Sequence, residues 1–235
     1  MRSAWLVTPL LLVAPLSASL LRDTGLRCAT ETVAPPAPAS APVPSRDTSA
    51  ITLYGRALPF PEFMERSSQR LPEWYAAADA AQVPDSLLRR ARAVGGQWRV
   101  LVVAVDTCGD SLRQLPTVAR LAELVHGLSM RVITPAEGGE AVQAMYRSLD
   151  GRKATPTYVL LDASGAERGC IVELPAPLRR LLHERRAEGT RGTNQALADT
   201  ALAWYRADRG VSIASEIVAL MESAAAGRTL CDRGS

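Results

Sequence analysis

The strongest constraint on this chain is one junction. The run Trp98-Arg-Val-Leu-Val-Val-Ala-Val-Asp106 passes directly into Thr107-Cys108-Gly109-Asp110-Ser111 and then into a helical pattern. A β-branched run without polar alternation reads as a strand buried on both faces, as in α/β sheets. From 110 to 126, Leu112, Leu115, Val118, Ala119, Leu121, Ala122 and Val125 recur at helical spacing. Pro116 lacks a donor N–H and is expected to bend that helix. His126-Gly127 reads as its end, with a cation beside the last carbonyls and glycine just beyond.

The flanking segments follow the same logic. Residues 61–81 read as a helix with Pro61 in its first turn and Phe63, Leu71, Trp74 and Tyr75 on its apolar side. A second helix restarts at Pro84-Asp85 and ends at Gly95-Gly96. Residues 128–134 form a strand, and Thr134-Pro-Ala-Glu137 fits a capping box that opens a helix to about residue 149. Residues 155–162 and 167–174 form a hairpin around Asp162-Ala-Ser-Gly165. Helices follow over 176–188, 194–207 and 212–225. The order β-α-β-α-β-β-α predicts one parallel crossover and one antiparallel hairpin, with helices on both faces.

The first half-hundred residues are of another kind. Arg2, the apolar stretch 4–16 and the small residues Ser17, Ala18 and Ser19 have the layout of a secretory signal, expected over 1–19. Residues 20–49 are rich in Ala and Pro, favour an extended chain and read as a linker. A folded domain is then expected over 50–228, its core over 97–189, with a flexible tail at 229–235. The localisation expected is exported, periplasmic or extracellular, with no membrane insertion after processing. Across the 235 residues, 47% are hydrophobic, and 27 Lys+Arg face 24 Asp+Glu for a net charge of +3, which argues against nucleic acid as a partner. Only Lys153 is a lysine, so the arginines read as composition bias. The cluster Arg179, Arg180, His183, Arg185 and Arg186, interrupted by Glu184 and Glu188, reads as a solvated helix face. Trp204-Tyr205 reads as an aromatic face packed on the sheet. Two distant histidines leave no His-based metal site, and no cofactor is expected.

The chemistry concentrates at Cys108. The start of a helix after a buried strand gathers free N–H groups and the positive end of the helix dipole, which stabilise a thiolate. Gly109 keeps the approach to the sulfur open, and Ser111 is placed to donate a hydrogen bond to it. Asp110 opposes a second negative charge nearby. Cys170 reads as a small buried hydrophobe. A bridge from Cys231 to either Cys28 or Cys170 stays open, as does a role for Cys231 as a remote resolving thiol.

Taken with the element order, Cys108 and Thr155-Pro156 resemble the thioredoxin family over about residues 98–182. The resemblance implies a thioredoxin-like α/β fold: a four-stranded mixed central sheet flanked by helices, with extra N- and C-terminal helices. It places Cys108 at the family's first active-site cysteine and Thr155-Pro156 at its cis-proline loop, where a substrate chain pairs. The run Thr-Cys-Gly-Asp-Ser with Pro116 is similar to a bacterial thioredoxin-like group whose active-site strand ends in Trp-Cys-Gly-Asp-Ala. Three departures stand out: Thr107 in place of Trp, Ser111 in place of the second cysteine, and apolar residues around Val102 in place of a buried acid. A lone thiol cannot store two electrons as an internal disulfide and must pass through a mixed disulfide or a sulfenic acid. The expectation is monothiol thiol–disulfide exchange on a protein thiol or disulfide. Cys108, Ser111 and Asp110 would be catalytic, and Thr107, Gly109, Thr155 and Pro156 would bind substrate. The alternative is a non-catalytic protein-binding module on the same fold. A thiolate metal or cluster ligand, as in monothiol glutaredoxins, has no accompanying glutathione-binding pattern.

Overall fold

The computed structural model describes residues 47–148, 150–187 and 194–232. The expected export signal, nearly all of the linker and Cys28 lie outside the described residues. The elements are α1 (Ala50–Arg56), β1 (Leu58–Pro59), α2 (Phe60–Glu65), α3 (Leu71–Ala80), α4 (Asp85–Val94), β2 (Trp98–Val103), α5 (Gly109–Leu124), β3 (Leu128–Ile133), α6 (Gly139–Met145), β4 (Thr157–Leu161), β5 (Glu167–Val172), α7 (Ala176–Ala187), α8 (Asn194–Asp208), α9 (Val211–Ala225) and β6 (Leu230–Asp232). Among the described residues no helix is long and apolar enough to cross a membrane.

Among the described residues the sheet has six strands in the order β1-β3-β2-β4-β5-β6, not four. The expected centre is there: β2 runs parallel to β3 and antiparallel to β4, and β4 pairs antiparallel with β5. The two additional strands are edges. Leu58–Pro59 pairs antiparallel with β3, and Leu230–Asp232, in the segment expected as a tail, pairs parallel with β5. Strands this short carry almost no periodicity, so only their partners reveal them.

Strand alternation sorts the core into two layers. Val100, Val102, Tyr158, Leu160 and Ile171 face α3, α4, α5 and α9. Leu101, Val103, Val159, Leu161 and Ile133 face α1 and α6. A third cluster joins α7 to α8 through Leu178, Leu182 and Tyr205, so the Trp204-Tyr205 segment packs on α7 instead of on the sheet.

The helix expected over 61–81 is two helices. Arg70 takes a left-handed backbone (φ 60°), which an α-helix interior cannot hold, and the chain turns there. The turn lets α3 place Trp74 fully buried between the rings of Phe60 and Phe63, at 6.0 and 5.6 Å. Tyr75, read with Trp74 as core, points out instead. The Thr134–Glu137 capping box forms, but it starts a short 3-10 turn (Pro135–Glu137), and α6 follows as a separate helix ending at Met145. Gly127 is required where it stands. Its φ is +87°, and a Cβ there would lie 2.3 Å from the Gly96 carbonyl oxygen.

Candidate active site

Cys108 is the N-cap of α5. Strand β2 ends in buried backbone, and the chain turns through Val105–Thr107, where the Cys108 N–H donates to the Val105 carbonyl at 3.1 Å. The half-buried sulfur has two neighbours of opposite preference. The Ser111 backbone N–H donates to Sγ at 3.5 Å, which favours a thiolate. The Thr155 carbonyl oxygen lies 3.3 Å away, where the thiol donates to it. The Thr155–Pro156 peptide bond is cis. That loop is tied down on both sides: Glu173 N–H donates to the Pro156 carbonyl at 2.8 Å, and Thr157 Oγ and Gln143 Nε2 donate to Ala154 at 2.8 and 2.7 Å.

Cys108, Ser111, Asp110, Gly109, Thr107, Thr155 and Pro156 therefore lie on one turn and the loop facing it. Ser111 meets the sulfur through its backbone. Its hydroxyl is fully buried and has no hydrogen-bond partner, contrary to the expected side-chain donor. The space at Gly109 is also occupied. Arg113 donates to the Gly109 carbonyl, and a Cβ on Gly109 would lie 2.5 Å from the Arg113 guanidinium.

The loop before Cys108 is held by the N-terminal helices. Asp106 Oδ2 accepts from the Ser67 hydroxyl at 3.2 Å and from the Ser68 and Gln69 N–H groups at 3.0 and 3.2 Å. The Trp74 indole N–H donates to the Asp106 carbonyl at 3.0 Å, and Arg70 reaches the exposed Thr107 carbonyl at 3.4 Å. Sequence reasoning missed Asp106 and Arg70 because their partners are some 37 residues away.

It also missed a polar layer beneath the sulfur. Gln114 and Tyr158 are fully buried and hydrogen-bonded to each other at 3.2 Å. The signal was present: a glutamine on the otherwise apolar face of α5 needs a buried partner. Burial raises the Asp110 carboxyl, against the pull of the Tyr205 hydroxyl and the Arg113 charge. Burial likewise raises Tyr158 well above the ordinary tyrosine value, with Tyr205, Cys108, Asp110 and Glu216 adding to it. Beside Asp110 opens a groove of about 400 Å³ lined by Arg113, Leu182, Leu197, Ala201 and Tyr205. Among the described residues no group of three or more His, Cys, Asp or Glu side chains is placed to hold a metal ion.

The other described cysteines lie elsewhere. Cys170 on β5 is bonded to Cys231 on β6; the two are register partners with Cα atoms 4.3 Å apart. Cys170 is buried as expected but is half of a disulfide, which resolves its pairing in favour of Cys231.

A family model described as thioredoxin matches residues 57–188. A protein of unknown function from Pseudomonas aeruginosa has a similar solved structure, with a TM-score of 0.57 and 18% identity over 74% of this chain and 96% of its own. An HIV epitope scaffold gives a TM-score of 0.56 and 15% identity over 72% of this chain and 95% of its own. At such identities the likeness speaks for the fold alone. No curated protein matches the sequence.

Proposed function

The chain belongs to the thioredoxin family, and on that premise we propose that it carries out monothiol thiol–disulfide exchange through Cys108, outside the cytoplasm. One observation carries the reading. The free thiol among the described residues sits at a helix N-terminus, 3.3 Å from the carbonyl that precedes cis-Pro156. Attack by the Cys108 thiolate on a substrate disulfide forms a Cys108–substrate bond and expels the other sulfur as a thiolate. Ser111 is not a thiol, so the mixed disulfide awaits a second thiol from solution or from a protein partner. Thr155 and Pro156 supply the backbone against which a substrate chain lies, and Thr107 and Gly109 form the opposite lip. The local run Thr-Cys-Gly-Asp-Ser supports membership of the thioredoxin-like group with a Cys-Gly-Asp motif. The Cys170–Cys231 disulfide supports an oxidising compartment.

A second reading, a binding module on the same fold, is favoured by the absence of a cysteine at Ser111 and by the Thr155 carbonyl, which engages the neutral thiol. The pH-dependent alkylation rate of Cys108, with Cys28 replaced by Ser, separates the two. A rate midpoint below about 8.5, the free-cysteine value, supports exchange. A midpoint above that value, or no labelling of the folded protein, supports the module.

A further inference from the structure

A cleft between α3, α5 and the end of α8, about 400 Å³ in volume, is lined by cations and by no acid. Its apolar lining is Leu112 and Pro116 of α5 and Tyr205 of α8, all buried residues. The α3 side offers alanines alone, Ala77, Ala80 and the capping Ala81, and methyl groups this small leave the space open. Arg113, Arg206 and Arg209 complete the charged part of the lining.

The fold sets all three arginines where they stand. Arg113 donates to the Gly109 carbonyl, and its guanidinium lies over the Tyr205 ring, 5.6 Å from the centroid. Arg206 and Arg209 are carried by the turn from α8 into α9. Arg209 has a left-handed backbone (φ 52°), and its carbonyl accepts the Thr117 hydroxyl at 2.9 Å. Gly210 follows, and a Cβ there would lie 2.5 Å from the Thr117 hydroxyl oxygen, so glycine lets this turn close on α5. Arg206 and Arg209 are exposed, and neither is ion-paired with an acid among the described residues. Asp110, on which the Arg113 charge also acts, lines the neighbouring groove and not this cleft.

We propose that this cleft binds one molecule of an amphiphilic anion, a short apolar chain or ring bearing a single carboxylate, phosphate or sulfonate head. The apolar body lies on Leu112, Pro116 and Tyr205 and leaves water there. The head meets guanidinium groups, whose planar forks match such oxyanions, and no carboxylate in the lining competes with it. A cleft of this volume is of the size that encloses a small molecule. A flat lipid surface would reach the exposed arginines and leave the alanine-walled space unfilled. The assignment is independent of the exchange reading, because it uses no property of the Cys108 sulfur.

The test is isothermal titration of the full-length protein at low ionic strength with three probes: octyl phosphate below its micelle concentration, inorganic phosphate and 1-octanol. Octyl phosphate is expected to bind saturably at one molecule per chain. Inorganic phosphate, which lacks the body, and octanol, which lacks the head, are each expected to bind roughly tenfold more weakly or worse, the scale of a few buried CH₂ groups or of one charge-assisted hydrogen bond. Arg206→Gln combined with Arg209→Gln is expected to weaken octyl phosphate by roughly tenfold or more and to leave octanol unchanged. Ala80→Phe, at an exposed position, fills the space and is expected to weaken octyl phosphate while all three arginines remain. No saturable binding of octyl phosphate overturns the proposal. So does an affinity matched by octanol or by inorganic phosphate, or one that both variants keep. Loss of binding in the arginine variant alone, with Ala80→Phe as tight as the parent, also overturns it, since the arginines would then act as a surface charge without the cleft.

Discussion

Two cysteine regions of this molecule have opposite fates. Cys108 caps α5 with no second sulfur in its turn, while Cys170 and Cys231 meet face to face on β5 and β6. The residue type is the same, and what differs is the partner the fold brings within reach. At Cys108 the neighbours are an N–H, a carbonyl and a buried polar layer, which leave the sulfur able to react with something arriving from outside. At the sheet edge, parallel register sets two sulfurs side by side and closes a loop of 61 residues.

That contrast breaks most sharply on Cys108→Ser. Exchange with a disulfide probe is expected to fall to the uncatalysed background while the thermal midpoint stays put. If Cys231→Ser abolished exchange instead, the edge pair would be the reactive one. Cys231→Ser is expected to lower unfolding stability by about 2–4 kcal/mol in urea titrations, as loss of a long-loop disulfide does, and to leave exchange intact. Next comes Asp106→Ala, which frees donors from Ser67, Ser68 and Gln69. A loss of about 1–3 kcal/mol is expected from those unmet bonds, with slower Cys108 labelling as the turn loosens. A variant that loses stability without any change in labelling would show that the N-terminal clamp does not reach the sulfur.

The smallest effects concern pH, and two acids give opposite signs. Asp162, in the hairpin turn, accepts from Ser164 and pairs with Arg168, and its carboxyl lies well below the usual range. Its contribution is present above the unfolded carboxylate value of about 3.9 and is lost as pH falls through the folded one. Asp110 is raised, so the folded state holds its proton more tightly than the unfolded chain. Its contribution is present in acid and is lost as pH rises from about 3.9 through the folded value. Asp162→Asn is therefore expected to lower the thermal midpoint at pH 7 by roughly 1–3 °C and to lose that effect in acid. Asp110→Asn is expected to raise it at pH 7 relative to pH 4. Equal shifts at both pH values would remove the distinction between the two carboxyls.

Much of this molecule could be read from local pattern. The apolar run of β2, the spacing of α5, the hairpin around Asp162 and the Thr134 capping box all act over a few residues, and each is in the structure close to where the sequence puts it. The misreadings share one cause. The two edge strands are two and three residues long and exist through their partners. The break at Arg70 answers to the packing of Trp74 between two phenylalanines. Ser111 is on the cysteine turn, but its backbone N–H meets the sulfur and its hydroxyl bonds to nothing, and spacing carries no information about a rotamer.

By itself, then, the sequence determined the α/β order, the strand-to-helix turn that holds Cys108, and the lack of a second cysteine there, because all three are local properties of backbone preference and residue identity. Only the tertiary structure decided that Cys170 would bond Cys231, that residues 67–74 would clamp the loop before Cys108, and that Gln114 would meet Tyr158 and Tyr205. Those contacts join positions 32 to 91 residues apart, and they form only once burial of the two apolar layers has set the register between elements.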